Sequence, residues 1–324
     1  MTELNKRVYG IIGIGSKMAN WNADFSGFPK SLSSGEIFGS DKALKYTMKK
    51  KWSEQGEKVI YIKSYIIDNK GNLIPRTLKE RYEQVFDTEI KLGESEKILT
   101  NLFSATDVKN FGATFAEKGN IISITGAVQI SQGMNKYEDS RALDQQILSP
   151  FRDPNAKEKS KLEEDAKNST LGNKIISDEA HYFYSFVINP KSYDDYKKLG
   201  VTEGYSEEDY EKFKLAATDS ATSYATNAKE GANNEFSMFV ETKLDTYLPS
   251  LANYIEFEKN SEKDSKDKII FTGKYFLKER DDIGKIQIYY DNEKIDLVDF
   301  PDNIEIYNIY TREKIEAWYE SFEI

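Results

Sequence analysis

A helix with two chemically separate stripes, entered from a long polar loop, constrains this chain more than any other stretch. Residues 20–52 read NWNADFSGFPKSLSSGEIFGSDKALKYTMKKKW. At 100° per residue, Leu44, Met48 and Trp52 fall within roughly an 80° arc, and Lys42, Lys45 and Lys49 within a separate arc of roughly 60°. Such a helix buries one stripe while its lysines stay outside. Ser40 is the expected N-cap, and the free N–H groups of the first turn favour an anion there. Loop, helix start and lysine row together point to a phosphate chain; an ordinary solvated face is the other account of the same lysines.

The helix is preceded by RVYGIIGIG (residues 7–15), which reads as a buried strand. Gly13 and Gly15 begin a G-x-G pattern, but Met18 stands where a dinucleotide fingerprint needs its third glycine, and the long loop breaks the tight strand–turn–helix. KVIYIKSYIID (58–68) predicts a β-branched strand ending in an Asp-Asn-Lys-Gly turn, which makes the opening β–loop–α–β, the first half of a split βαβ arrangement. Residues 75–100 predict charged helix. Residues 104–115 predict a short helix with Ser104 as N-cap and Asp107 closing a capping box. Residues 120–131 predict one strand. Residues 132–178 hold few core formers and a dense mixed-charge run, KEKSKLEEDAK, and read as an excursion from the core. Strand returns at 179–190, a long helix is expected over 206–232, and further strands over 235–243, 269–277, 285–290 and 304–310.

Composition removes several chemistries. The 324 residues contain no cysteine and one histidine, His181. Disulfides, thiolate metal sites and cysteine nucleophiles are excluded, and a Ser-His-Asp triad would need that one histidine, which begins a strand among aromatics. Glu207, Glu208 and Asp209 are dense enough for a metal, but the dipole of the helix they start explains them. The apolar run at 8–15 is too short for a membrane span and lacks a cleavage region, so a cytoplasmic location is expected, with no cofactor. Net charge is −10, yet residues 1–130 hold 19 basic against 15 acidic residues and the remainder 26 against 40. Screening acts over about 8 Å at physiological salt, so an acidic far side leaves room for a basic groove.

Four segments in order resemble one family. They are the loop NWNADFSGFP, the helix GSDKALKYTMKK, the pair DVKNFGATF…NIISITGAVQIS, and STLGNKIISDEAHYFYSFVINP. Each is similar to a motif of the backbone subunit of CRISPR type I interference complexes, the "Cas seven" branch of the RAMP superfamily, most closely its type I-B members. There are departures: Lys109 stands where arginine is usual, Ala127 replaces the proline of T-G-P-V-Q, and residues 20–24 are a loose copy of the loop motif. The resemblance implies an α+β fold, a modified RNA-recognition-motif (ferredoxin-like) palm with thumb and finger-like insertions. Residues 1–324 would form that one domain, with 132–178 as thumb and 69–103 as a smaller helical insertion.

It further implies a non-catalytic subunit whose copies stack head to tail along a guide RNA and present it to target DNA, beside the foot, large and head subunits of the complex. A protein that holds any guide should grip phosphate and sugar rather than base edges. On that basis Lys42, Lys45 and Lys49 are assigned to phosphate, and Lys17, Asn20, Asn22 and Ser40 to phosphate or ribose. Gln129, Ser131 and Lys109 are assigned to further RNA contacts. In the thumb, Leu171 and Ile176 would wedge a base step, with Lys174 on a phosphate; hairpin core is an equal account of both apolar residues. Two other readings stand beside this one. A metal-dependent RNA-cleaving subunit, as in type III complexes, would use Asp24 or Asp107. An acidic protein-interaction module would have no RNA role.

Overall fold

The apolar run near the N-terminus becomes a strand buried on both faces, and the rest of the chain is laid around it. The computed structural model describes residues 2–152, 169–262, 265–278 and 280–316. In β1 (Arg7–Ala19), Val8, Ile12 and Ile14 face one core while Tyr9 and Ile11 face another. A strand covered on both sides reads as continuous apolar sequence rather than alternation. Its glycines admit neighbours instead of a nucleotide: a Cβ at Gly15 would overlap the Glu235 carboxylate.

After β1 the chain loops to β2 (Phe38–Gly39) and enters α1 (Asp41–Glu54). Ser40 caps α1 as expected, its hydroxyl accepting the Ala43 N–H, and Leu44, Met48 and Trp52 are fully buried. The expected strand over 58–68 is largely absent. Its backbone is drawn away from a ladder because Ile60 and Tyr61 donate their N–H groups to the Asp107 carboxylate. Only β3 (Tyr65–Ile67) is strand, in a hairpin with β4 (Leu73–Pro75) around the Asp68 turn.

Helices α2 (Leu78–Phe86), α3 (Ser95–Phe103) and α4 (Thr106–Phe111) follow. Ser104 ends α3 rather than capping α4, since its hydroxyl donates back to the Asn101 carbonyl and the Asp107 carboxylate is committed to residues 60–61. The single strand expected over 120–131 is two. β5 (Gly112–Glu117) and β6 (Asn120–Thr125) form a separate hairpin, and β7 (Val128–Ile130) and β8 (Gly133–Asn135) return to the main sheet.

β9 (Ala142–Arg152) and β10 (Ser169–Ile188) make a long antiparallel hairpin that continues into the sheet beside β1. The charged run at 157–167 lies outside the described residues. α5 (Asp194–Lys198) and α6 (Glu207–Asp219) lead to β11 (Ala232–Thr242). α6 stops well short of the expected residue 232. The Asn234 side chain of β11 takes over the helix end, accepting the N–H of Ala221 and donating to the Ala217 carbonyl.

The main sheet runs β16-β14-β11-β1-β10-β8-β2, with β7 and β9 also paired to β10. Here β14 is Ile283–Tyr290 and β16 is Glu305–Asn308. One face of this sheet carries α1, α6 and the segment 58–130. The other is covered by residues 248–277 and 295–304, including the small sheet of β12 (Ile255–Glu258), β13 (Asp267–Phe271) and β15 (Ile295–Val298). Among the described residues no helix is long and apolar enough to cross a membrane.

Candidate nucleic-acid interface

The loop before α1 is fastened to the sheet by its own polar and aromatic side chains. Trp21 Nε1 donates to the Tyr184 hydroxyl of β10 at 2.6 Å, and a Cβ at Gly39 would overlap that same hydroxyl. Asn20 Nδ2 donates to the carbonyls of Gly27 and Ile175 at 2.8 and 3.0 Å. The Ser40 hydroxyl donates to Asn22 Oδ1 at 2.7 Å. The Lys229 ammonium caps the carbonyls of Asn20 and Trp21; burial alone pulls its pKa down to about 8. Asn20, Asn22 and Ser40 are therefore buried staples that shape the loop. All three lie inside the loop rather than on its exposed surface, where direct RNA contact was expected, and Asn20 Oδ1 and Asn22 Nδ2 are buried without a hydrogen-bond partner.

The lysine row of α1 divides. Lys45 sits 3.0 Å from Asp41 and above the Phe111 ring, so its charge is already answered. Lys42 is exposed and Lys49 partly buried, and neither has a carboxylate within ion-pair distance among the described residues. Both line an open groove of about 500 Å³ between α1, residues 60–63 and the start of α2. Across it stand Lys63, Arg76 and Arg81, with Tyr46 and Tyr61 also in the wall. Its lining contains no Asp or Glu.

Several of these cations are held in place. Arg81 donates through Nε and Nη2 to the Val59 carbonyl at 3.1 and 2.6 Å, and Arg76 donates to the Tyr65 carbonyl. Burial pulls the pKa of Lys49 down, against the pull of the Asp107 charge behind the wall; Arg81 is shifted the same way by burial. Cations partly stripped of water and lacking a contacting carboxylate are stabilised by an anion that enters beside them. No local pattern marks Lys63, Arg76 and Arg81 as a group. The Asp107 carboxylate of α4, 46 residues along, takes the Tyr61 N–H and so fixes the stretch of wall that leads to Lys63.

The other assigned residues lie apart. Lys109 is half-buried and forms an ion pair with Asp209 at 2.9 Å between α4 and α6, so its charge is already answered away from the groove. Gln129 and Ser131 do come together, at the rim of a second groove of about 300 Å³ that Ser250 and Leu248 also line. Gln129 donates to the Gly126 carbonyl, and the Ser131 hydroxyl donates to the Gln132 carbonyl while accepting the Ser185 N–H. Lys17 is exposed at the end of β1, and Lys174 donates to Asn227 Oδ1 at 3.2 Å. Ile176 is 2% exposed and is core, so it cannot wedge a base step. Leu171 pairs with Leu148 in the β9–β10 hairpin; its side chain lies outside the described residues.

The chain matches the sequence model of the family described as "CRISPR-associated protein Cas7" over residues 6–272. It belongs to the Cas7 family. The matched span includes the groove and every strand of the main sheet except β14 and β16. Among solved structures, a chain of a "CRISPR RNA-guided surveillance complex, pre-nicking" is similar at 13% identity and a TM-score of 0.51, over 93% of this chain and 96% of that one. A chain of a "CRISPR RNA-guided surveillance complex" gives 11% identity and a TM-score of 0.45, over 86% and 88%. No curated protein sequence matches the chain.

Proposed function

We propose that this Cas7-family chain is a guide-RNA-binding backbone subunit of a CRISPR RNA-guided surveillance complex. In this reading its copies lie head to tail along the RNA, in contact with other subunits, and offer the guide to target DNA. The observation that carries it is the groove beside α1, where five cations face one another and no carboxylate lines the wall. The antiparallel order β11-β1-β10-β7, with α1 following β1 and α6 joining β10 to β11, supports reading the core as a ferredoxin-like RNA-recognition-motif palm. The β9–β10 hairpin would be its thumb, and residues 69–103 the smaller helical insertion. The sheet face that such a palm would leave open is covered here by residues 248–277 and 295–304, so the guide is held by the groove instead.

We read the chain as a grip without catalysis. Asp24, one candidate acid, caps its own turn and is held below the usual carboxylate range, chiefly by the Ser26 hydroxyl. Asp107, the other, is 1% exposed, and burial raises its pKa despite the N–H groups it accepts from Ile60 and Tyr61. Asp24 Oδ1 is taken up by its own turn, and both Asp107 oxygens by the backbone of residues 60–61. Two unrelated single-stranded RNAs of equal length should bind within about threefold of each other, since phosphates carry no sequence. RNA complementary to a bound guide should stay intact with magnesium. A strong preference for one sequence, or periodic cleavage lost in Asp24→Ala or Asp107→Ala, would contradict the proposal.

A further inference from the structure

The loop before α1 contains a short hairpin, residues 22–30, whose tip is better fastened than its exposure requires. The Asp24 N–H donates to the Phe28 carbonyl at 2.7 Å. Asp24 Oδ1 accepts the N–H groups of Ser26 and Phe28, at 2.8 and 3.1 Å, and the Ser26 hydroxyl at 2.7 Å. Gly27 makes the turn at a φ of +90°, and Asn20 ties its carbonyl down beside that of Ile175 in β10. What this turn displays is Phe25, whose relative exposure is 112%. Its ring rests on nothing.

We propose that Phe25 stacks on an unpaired base of the single-stranded RNA this protein binds, a proposal that rests on the reading of the chain as an RNA grip. A protein partner that buried Phe25 would want broad apolar surface around it; the residues that flank it, Asp24 and Ser26, are polar, and Phe28 on the returning arm adds a second ring only 42% exposed. A nucleobase needs only one ring face, and every base has one. The same hairpin carries Lys30 on its returning arm, where the Lys30 N–H donates to the Asn22 carbonyl at 2.9 Å. Lys30 has no carboxylate within ion-pair distance among the described residues, and neither does Lys17 at the end of β1. A ring displayed on a hairpin that also carries an unanswered cation suits the alternation of base and phosphate along a single strand. Holding the turn rigid also means that little ordering remains to be done on binding.

The test compares a labelled single-stranded RNA with a backbone of equal phosphate count carrying abasic sugars, each titrated against the full chain. Phe25→Ala should weaken binding of the base-bearing RNA about tenfold. It should leave both the abasic affinity and the salt dependence unchanged, and Phe25→Tyr should restore the wild-type value. Equal losses on both RNAs would mean a purely structural role. No loss on either would mean no contact. A loss confined to association between copies, seen by light scattering, would mean a protein contact. Each of these overturns the proposal while leaving the RNA grip in place. Wild-type protein that binds neither RNA overturns both.

Discussion

Replacing Lys42, Lys63 and Arg76 together with alanine is expected to weaken single-stranded RNA binding about 100-fold at 0.1 M salt. Each phosphate contact on a single strand contributes roughly 0.7 to the slope of log affinity against log salt. Three lost contacts flatten that slope by about 2, which is about two decades of affinity at 0.1 M. The fold should tolerate the change. Lys42 and Lys63 are exposed and make no ion pair among the described residues, and Arg76 contributes one hydrogen bond to the Tyr65 carbonyl. Lys45→Ala is the matched control. It removes the same charge from the same helix, but from a pair with Asp41 at 3.0 Å, so its effect on the slope should be much smaller. Filter binding across a salt series measures both. Equal slopes for triple variant and wild type would remove the groove from the RNA path.

Raising the pH from 6 to 9 is expected to lower the stability of the fold by about 3 kcal/mol through His181. Its ring stacks on Phe257 at 3.8 Å, with Nδ1 2.8 and 2.9 Å from the two Glu235 oxygens and Nε2 3.4 Å from Glu179. Burial pulls the imidazole pKa down, but the charges of Glu235 and Glu179 outweigh it and raise it to about 9. A raised folded-state pKa stabilises in full below the unfolded value of about 6.5, and that contribution is lost as pH passes about 9. On the acid side Glu179 is held at about 2, first by the hydrogen bond from His181 and also by Lys259. Its contribution is present above the unfolded value of about 4.3 and is lost as pH falls through about 2. Urea unfolding at pH 6 and pH 9 reads the alkaline limb. His181→Gln should flatten it, whereas an unchanged alkaline fall in that variant would place the titrating group elsewhere.

The parts of this molecule legible in its sequence are those fixed by near neighbours. The α1 stripe of Leu44, Met48 and Trp52 and the Ser40 cap depend on spacing within one helix, and both stand as read. The buried strand at the N-terminus and the return to strand before Pro190 are apolar runs that mark themselves. What was illegible depends on distant partners. Residues 58–64 carry a strand's composition, yet a carboxylate from α4 takes their N–H groups. Asn234 ends α6 from the following strand, so no signal within the helix marks the stop.

The site divides along the same line. Lys42 and Lys49 were visible as a row, but whether a lysine in that row is free turns on Asp41 and Phe111, which take Lys45. Asn20, Asn22 and Ser40 have the residue types of a phosphate loop and the hydrogen bonds of a structural one. Lys63, Arg76 and Arg81 gave no pattern at all, because three elements must fold before they face α1.

The most direct test is whether the purified protein carries RNA. A chain that grips any guide through its phosphates should leave the cell as a large particle whose 260/280 absorbance ratio is high, and ribonuclease should lower both the ratio and the particle size. Protein that elutes as a nucleic-acid-free monomer, and whose elution and ratio ribonuclease does not change, would contradict the account.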